Sequence, residues 1–304
     1  MTKIALVTGA SGFIGRHFTR YLRENLGYRV DTLDIVPSEG VTCLDANDTF
    51  RMTKHISYDL VVHAAYHVGG RATIDGNPSV LALNLAVDAN MFDWAVRTEQ
   101  NHVLYFSSSA VYPVELQTGK ILDTGYFRLK EEHACPHVPL LPDARYGWAK
   151  LTGEKLAQAA REQGLPVTIV RPFSGYGADQ STDYPFPSLV RRVLARENPV
   201  TVWGSGNQVR DWIHVSDVVR GSMAAVDDDI DVVNLGTSTG TTMRELLDLT
   251  MEIVGYNAPI EPLRDKPDGV MERVADTERL DGIYIPRITL REGITEAVQY
   301  LSRR

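Results

Sequence analysis

The sequence predicts an α/β protein with a doubly wound parallel sheet and helices on both faces, and three observations support this fold class. Short apolar stretches alternate with helical patterns along the chain. The first stretch, residues 4–7, does not alternate with polar residues, as is typical of a parallel strand buried on both faces. Three glycines, Gly9, Gly12 and Gly15, follow it and lead into a helical pattern over residues 13–22. Strand, glycine-rich turn and helix form the opening unit of such a sheet.

The remaining elements follow in chain order. Strands are predicted over residues 4–7, 29–35, 59–65, 102–109, 167–172 and 232–235. Intervening helices are predicted over residues 78–98, 146–163 and 216–226. Residues 173–208 are rich in Gly, Pro, Ser and aromatic residues, and residues 255–285 are rich in Pro, Asp and Arg. Between these two stretches, residues 210–235 are predicted to return to the sheet.

This change of composition predicts a smaller, discontinuous C-terminal substrate domain. We expect the dinucleotide-binding domain to comprise residues 1–172 and 209–236, and the substrate domain mainly residues 173–208 and 237–304. Ligands of open parallel sheets bind beyond the carboxyl ends of the strands. Substrate is therefore expected between the two parts.

Length and composition exclude several classes of protein. A chain of 304 residues can hold one large domain or two unequal ones. A hydrophobic content of 43% against 23% charged residues is that of a globular protein without a disordered majority. The net charge of −8 argues against general nucleic-acid binding, so an anionic substrate would need local arginines.

The cysteines and the ends of the chain bear on its location. Cys43 and Cys135 lie in unrelated contexts without metal-ligand spacing, which suits a reducing compartment, and no metal site is expected. The first strand begins right after Lys3, which leaves no room for a signal peptide, and no apolar run is long enough to cross a membrane. We expect a cytoplasmic protein.

The glycine-rich turn predicts a dinucleotide site of the Rossmann type. Glycines allow backbone N–H groups to approach a diphosphate, and the helix N-terminus adds partial positive charge. The same spacing also fits a tight turn in any α/β protein. Asp34 favours the dinucleotide site. It ends the second strand roughly twenty residues after the glycines, at the position where a Rossmann unit places the acid that binds the ribose 2′-hydroxyl. A carboxylate there repels a 2′-phosphate, so NAD is predicted rather than NADP.

Tyr146 and Lys150 are the candidate catalytic pair. They lie four residues apart and therefore share one face of the predicted helix. Free tyrosine titrates at a pH of about 10, too high for a base at neutrality. A neighbouring ammonium and a positive nicotinamide ring both favour the phenolate, which would make Tyr146 usable as base and acid. The alternative is an exposed tyrosine and lysine on a helix surface.

The end of the fourth strand offers hydroxyl groups. The run Phe106-Ser-Ser-Ser-Ala-Val-Tyr-Pro113 ends this strand, where active-site groups gather. A serine hydroxyl there could bind the same substrate oxygen that Tyr146 deprotonates. The ordinary alternative is the start of a loop.

With these motifs, the chain resembles an extended short-chain dehydrogenase/reductase of the group that acts on nucleotide sugars. The matching stretches run along the whole chain: Gly9-Ala-Ser-Gly-Phe-Ile-Gly15, Asp34, His63-Ala-Ala65, Ser107 to Tyr112, Tyr146-Gly-Trp-Ala-Lys150, Arg171-Pro-Phe-Ser-Gly-Tyr-Gly177, Arg210-Asp-Trp-Ile-His-Val215 and Asn234-Leu-Gly236. The resemblance implies that Tyr146 is the acid/base, that Lys150 binds the nicotinamide ribose, and that Ser108 is the catalytic hydroxyl with Ser109 beside it.

The resemblance also implies binding residues. Those for the cofactor are Gly9, Gly12, Phe13, Ile14, Gly15, Asp34, Asp45, Ala64, Ala65, Ser107, Tyr146, Lys150 and Phe173. Those for the substrate are His67, Ser108, Ser109, Ser174, Trp203, Arg210 and Arg273. Arg210 and Arg273 would hold the diphosphate, since arginine forks suit it. Trp203 would lie beside the base. Arg273 has a plain alternative as a surface charge on a loop.

The branch of the family depends on a few positions. Val68-Gly-Gly70, Ser-Ala-Val-Tyr-Pro113 and Lys266-Pro-Asp-Gly269 resemble GDP-fucose synthases and GDP-mannose 3,5-epimerases. Ala110 replaces the cysteine of the synthase, Asp179 replaces its histidine, and residues 173–190 contain no lysine. Chemistry at C3 and C5 thus lacks its proton carriers unless His67 or Asp179 supplies them. Dehydratases and decarboxylases carry an acid where Ala110 stands, so elimination is disfavoured.

The remaining residues suffice for a nucleotide-sugar 4-epimerase that uses NAD. Alternatives are a GDP-sugar 3,5-epimerase/4-ketoreductase of the GDP-fucose-synthase type and an NAD-binding sensor without catalysis, which the retained Ser108, Tyr146 and Lys150 disfavour. The family also implies a homodimer, for which residues 82–96 and 151–160 offer small and apolar positions. Neither nucleic acid nor membrane is expected as a partner.

Overall fold

The computed structural model describes residues 2–52, 56–67, 78–119, 125–134, 141–266 and 269–303. Within the motifs above, residues 68–70 and 267–268 lie outside the described part, as does Cys135. The chain divides into two compact units. The first comprises Met1–Val111, Ala144–Arg171 and Val219–Val233, and the second comprises Tyr112–Asp143, Pro172–Val218 and Asn234–Arg304.

A seven-stranded sheet forms the centre of the first unit. Its strands are β1 (Ile4–Thr8), β2 (Arg29–Asp34), β3 (Thr42–Cys43), β4 (Leu60–His63), β5 (Val103–Phe106), β7 (Val167–Pro172) and β11 (Val232–Leu235). Their spatial order is β11-β7-β5-β4-β1-β2-β3, and the neighbours from β7 to β3 run parallel. The direction of winding reverses beside β1, which is the point where doubly wound sheets bind their ligands.

Nine α-helices occur in the described part of the chain. They are α1 (Phe13–Glu24), α2 (Ala46–Met52), α3 (Pro78–Arg97), α4 (Ala144–Glu162), α5 (Pro185–Leu194), α6 (Val215–Asp227), α7 (Met243–Val254), α8 (Glu278–Asp281) and α9 (Leu290–Leu301). Helices α3 and α4 pack on each other and on the sheet. Their core includes Met91, Trp94, Ala157 and Ile169, and this burial of apolar surface holds the site-bearing helix α4 in place.

The predicted fold class, a Rossmann-type α/β fold with a doubly wound parallel sheet, is confirmed. The strands predicted over residues 167–172 and 232–235 have those bounds, and the other four begin or end within a few residues of the predicted positions. The prediction that residues 210–235 return to the central sheet is wrong for their first part. Strand β10 (Val209–His214) belongs to a different sheet, because its partners are β8 (Ser174–Tyr176), β12 (Gly240–Thr242) and β14 (Glu272–Ala275).

The second unit is built around that other sheet. It has five strands, in which β12-β10-β14-β6 follow one another, with β6 at Arg128–Leu129, and β8 pairs with β10. A parallel pair joins β9 (Val200–Trp203) to β13 (Ile260–Leu263). Helices α5, α7 and α9 share an apolar core that contains Phe186, Leu246 and Ile294.

The bounds of the units differ from the expected domain bounds. Residues 112–143 and 209–218, expected in the dinucleotide-binding domain, group with the second unit because β6 and β10 both hydrogen-bond with β14 there. The assignment of NAD to one part and substrate to the other stays a prediction. Among the described helices, none has the length and apolar character that a membrane span requires.

Candidate active site

The glycine-rich turn connects β1 to α1 with very close backbone packing. Gly9 has φ +67, and a Cβ there would lie 2.5 Å from the carbonyl oxygen of Ala64. A Cβ on Gly15 would lie 2.1 Å from the carbonyl oxygen of Gly9. Gly12 is the N-cap of α1 and offers no side chain to the first-turn N–H groups, which begin at Phe13 and Ile14. These backbone donors at the helix N-terminus suit a diphosphate.

The Asp34 carboxylate is tied to that turn. Its Oδ2 accepts a hydrogen bond from the Ser11 N–H (2.9 Å), and its Oδ1 accepts one from the Val36 N–H (2.8 Å). Ala64 and Ala65 reach the same region, where the Ala65 N–H donates to Thr8 Oγ1 (3.2 Å). The predicted cofactor residues of β1, β2 and β4 therefore meet at one edge of the sheet. Side-chain-free glycines, a helix N-terminus and a carboxylate are a donor and acceptor set that fits NAD.

Asp45, also predicted to bind the cofactor, caps α2 instead. Its Oδ1 accepts a hydrogen bond from the Asn47 N–H (2.7 Å), as an N-cap carboxylate does. A contact between Asp45 and the cofactor stays a prediction.

Lys150 lies buried in the first unit among aromatic rings. Its Nζ is 3.3 Å from the centroid of the Tyr66 ring and 5.1 Å from that of Tyr105. The Tyr66 ring packs against the Tyr146 ring at 5.8 Å and nearly perpendicular to it. The Tyr66 hydroxyl is buried and has no hydrogen-bond partner among the described residues, so Tyr66 contacts the pair through its ring. Burial lowers the pKa of Lys150 to about 8, against the opposing effect of Asp88 and Glu154.

The three serines after β5 have three different surroundings. Ser107 is buried and its hydroxyl donates to Glu154 Oε1. Glu154 of α4 is thus the partner of this hydroxyl, and the cofactor contact that the resemblance implies for Ser107 stays a prediction. The half-buried Ser108 Oγ accepts a hydrogen bond from the Ala110 N–H (3.1 Å), which leaves the hydroxyl proton for another acceptor. Ser109 is buried and begins a single 3-10 turn with Ala110 and Val111.

The Glu154 carboxylate that binds Ser107 also belongs to a buried ion pair. Glu154 lies one helical turn after Lys150, and Arg171 donates to both of its carboxylate oxygens at 2.8 and 2.7 Å. Both side chains are almost fully buried. The sequence patterns did not lead us to predict this pair, although Glu154 follows Lys150 by four positions on the same helix face.

Two further residues of α3 were missed as well. Asn84 holds the loop after β4, because its Oδ1 accepts from the His67 N–H (2.8 Å) and its Nδ2 donates to the His67 carbonyl (3.0 Å). This leaves the His67 side chain exposed. Asp88 is fully buried in the middle of an otherwise apolar stretch, and that contrast was the available signal.

The two predicted arginines meet in the second unit. Arg210 of β10 and Arg273 of β14 are register partners on neighbouring parallel strands. Arg273 Nη2 donates to Asp143 Oδ2 (2.8 Å), and its Nε donates to Gln117 Oε1 (2.5 Å). The strand register thus brings the two arginines next to each other along the sheet, with the Arg273 guanidinium held by Asp143.

The predicted cofactor residue Phe173 and the predicted substrate residues Ser174 and Trp203 also belong to the second unit. Phe173 is buried and packs 5.9 Å from the Tyr112 ring, which gives it a core contact. Ser174 begins β8 beside Trp212 of β10. Trp203 ends β9 with 48% of its surface exposed, so its ring is open to a planar ligand such as a base.

The model of the NAD dependent epimerase/dehydratase family matches residues 5–236. The chain belongs to this family. Its cofactor is NAD, as predicted from Asp34. The match includes the glycine-rich turn, Tyr146, Lys150 and Arg210, so the resemblance drawn from these motifs is confirmed at the level of the family.

Relatives and solved structures extend the comparison over nearly the whole chain. A protein of Methanocaldococcus jannaschii, provisionally named UDP-glucose 4-epimerase, is 27% identical over 97% of this chain and 97% of its own. GDP-L-fucose synthase 1 of Arabidopsis thaliana is 26% identical over 97% of this chain and 91% of its own. The structure of MoeE5 in complex with UDP-glucose and NAD is 27% identical, covers 99% of both chains and has a TM-score of 0.81.

Proposed function

We propose that the protein is a nucleotide-sugar 4-epimerase that uses NAD. The observation that supports this most is the contact of the Tyr66 ring with both the buried Lys150 ammonium and the Tyr146 ring. Beside it, the serine turn after β5 contains alanine at position 110. This arrangement offers one proton carrier for one carbon. Ala110 offers no acid for eliminating a hydroxyl or for moving protons at further carbons.

In the proposed reaction the positive charge of Lys150 stabilises the phenolate of Tyr146, which accepts the proton of the C4 hydroxyl and becomes the phenol. The glycine-rich turn and Asp34 would hold NAD, whose nicotinamide would supply a reversible hydride acceptor for the hydrogen of C4. The Ser108 hydroxyl donates a hydrogen bond to the same sugar oxygen and orients it. The 4-keto sugar rotates and is reduced at C4 from its other face, and Tyr146 returns the proton to the C4 oxygen.

We infer that Arg210 and Arg273 hold the diphosphate of this substrate and that Trp203 stacks on its base. The register pairing of the two arginines and the exposed tryptophan ring support this assignment. MoeE5 forms a complex with UDP-glucose, and we extend from it only the class of ligand, a nucleoside diphosphate sugar. The residues described here read no base unambiguously.

Solvent deuterium tests the proposal. A panel of UDP-, GDP- and dTDP-sugars is incubated with the protein and NAD in deuterated water, and the products are assigned by NMR. We expect a C4 epimer without deuterium on its carbons, because the hydrogen of C4 travels as hydride and returns. The same incubation with Tyr146→Phe sets the background.

The second candidate is a GDP-sugar 3,5-epimerase/4-ketoreductase, which the similarity to GDP-L-fucose synthase 1 favours. That reaction exchanges hydrogens at C3 and C5 with solvent. Deuterium at these carbons would therefore refute the 4-epimerase and direct attention to His67 or Asp179 as proton carrier. No product from any sugar, with NAD bound, would favour a sensor.

We also propose a cytoplasmic homodimer. Leu83 of α3 and Trp148 of α4 are 46% and 48% exposed on two helices that pack side by side, and such a surface suits a second copy. Light scattering at micromolar concentration should give twice the chain mass, and Trp148→Glu should give the monomer. A monomer before substitution would contradict the proposal.

A further inference from the structure

The buried carboxylate of Asp88 borders the aromatic cluster that surrounds Lys150. It is fully buried on α3, and its Oδ2 accepts a hydrogen bond from the Tyr105 hydroxyl (2.7 Å). Its Oδ1 lies 3.2 Å from His63 Nε2. Among the described residues, no lysine or arginine nitrogen lies within the 4.0 Å of an ion pair with Asp88. A carboxylate in this position needs a positive charge nearby, because burial strongly disfavours an uncompensated one.

A neutral His63 satisfies every hydrogen bond around its ring. Thr8 Oγ1 accepts the Ala65 N–H (3.2 Å) and lies 2.9 Å from His63 Nδ1. The simplest network has the Thr8 hydroxyl donating to Nδ1 and the Nε2–H donating to Asp88. In that network His63 is neutral, and Asp88 accepts two hydrogen bonds from uncharged groups.

Lys150 is the cation that completes the cluster. Its Nζ lies 5.1 Å from the Tyr105 ring whose hydroxyl binds Asp88. Helix α4 packs directly on this bond: a Cβ on Gly153 would lie 1.8 Å from the Tyr105 hydroxyl and 2.7 Å from Asp88 Oδ2. The Asp88 carboxylate also acts electrostatically on Tyr66, and the Lys150 ammonium lies on the face of the Tyr66 ring.

The other groups that face Lys150 are less able to balance its charge. Glu154 of α4 faces it from one turn away, but its two oxygens are already bound by Arg171 of β7. Tyr66 and Tyr105 contribute ring faces and hydroxyl groups without formal charge. The remaining carboxylate is that of Asp88.

We propose that Asp88 is a positioning residue: it is the counter-charge that keeps Lys150 protonated and holds its ammonium on the face of Tyr66. Tyr105 and His63 orient the carboxylate by their hydrogen bonds. The consequence for catalysis, a charged Lys150 beside Tyr146, rests on the proposed function. The pairing of Asp88 with Lys150 does not depend on any substrate.

Removal of the negative charge should make Lys150 lose its proton at lower pH. Burial already lowers the pKa of Lys150 to about 8, and Asp88 and Glu154 act against it. In Asp88→Asn only Glu154 remains to oppose burial. A nearby opposite charge shifts a pKa by roughly 1–3 units, so we expect the midpoint to fall by about one unit or more.

NMR of protein labelled with ¹³C-lysine measures this midpoint directly. The chain contains seven lysines, and the signal absent from Lys150→Met identifies Lys150. The matched control is Asp93→Asn, which removes a carboxylate from the exposed side of the same helix and should leave the midpoint unchanged. An unchanged Lys150 midpoint in folded Asp88→Asn overturns the proposal.

A stability cycle covers the case in which Asp88→Asn does not fold. Lys150→Met and Asp88→Asn each leave one buried partner alone, whereas the double variant removes both charges. We expect the double variant to melt at a higher temperature than either single variant. Additive losses overturn the pairing. The protein could be inactive on every sugar while the Lys150 midpoint still falls in Asp88→Asn. That result would refute the proposed function and leave this inference standing.

Discussion

The two units treat their buried acids in different ways. In the first unit Glu154 is bound by the Arg171 guanidinium, and Asp88 lies in the aromatic cluster of Lys150. In the second unit Asp211 is fully buried with N–H and O–H donors around its carboxylate. Oδ1 accepts from the Thr237 N–H and hydroxyl, and Oδ2 accepts from the N–H groups of Ser238 and Ala275.

This difference has physical consequences. The Glu154 carboxylate has the Arg171 guanidinium as its counter-charge. Asp211 binds a loop and a strand to β10, so its role is architectural, and burial raises its pKa to about 6. Gly236 makes room for it, since a Cβ there would lie 2.7 Å from Asp211 Oδ2. The motifs at Asp211 and Gly236 therefore serve one structural junction.

The largest effect is expected at Tyr146. Tyr146→Phe removes the proposed proton acceptor but keeps the ring that packs on Tyr66. Turnover should fall by roughly 10²–10⁴-fold, while NAD affinity and melting temperature stay near those of the unmodified protein. Steady-state rates and calorimetric titration with NAD measure this. A variant with full activity would show that the base is another group.

Breaking the Glu154–Arg171 pair should cost the most stability. Arg171→Met leaves a buried carboxylate without its partner, and such losses amount to about 3–5 kcal/mol in unfolding free energy. Arg97→Met is the matched control, because Arg97 pairs with Asp93 at the surface and should change stability by less than about 0.5 kcal/mol. Adding Glu154→Gln to Arg171→Met should restore part of the loss. Equal losses in the two methionine variants would contradict the comparison.

Asp211 should titrate within the range of a stability measurement. Its folded pKa of about 6 exceeds the ordinary value of 3.8, so the folded state binds more protons in that window. Stability is therefore greatest at or below a pH of about 4 and falls as pH rises through about 6, by on the order of 3 kcal/mol from this group.

Asp211→Asn should remove this dependence. It should also cost about 2 kcal/mol at pH 7, since the new amide group faces N–H donors. Urea unfolding between pH 4 and pH 7 tests both expectations, with Asp93→Asn as the control. An unchanged pH profile in Asp211→Asn would assign the titration to another group.

The smallest effect concerns cofactor choice. Asp34→Ala removes the carboxylate that a ribose hydroxyl would meet, so NAD should bind about tenfold more weakly, which corresponds to one charge-assisted hydrogen bond. NADP affinity should change less, and the preference for NAD should narrow. Asp93→Ala should leave both affinities unchanged. Equal affinities for the two cofactors before substitution would be inconsistent with the role of Asp34.

Local patterns predicted most of the first unit. Strands β7 and β11 and the glycine-rich turn depend on neighbouring residues, because apolar runs and glycine spacing act over a few positions. The assignment of Arg210 to the central sheet failed for a related reason. Strand propensity predicts that a segment is extended, whereas partners distant in the sequence determine which sheet it joins.

What the sequence by itself determined is the chemistry available at short range. Tyr146 and Lys150 share a helix face at any tertiary arrangement, and Asp34 follows the glycines at a fixed interval. Only the tertiary structure decided that Asp88 meets helix α4 at Gly153, that Arg171 binds Glu154, and that Arg210 neighbours Arg273. These contacts join segments far apart in the chain, and burial, which sets the strength of each charge, exists only once those segments have packed.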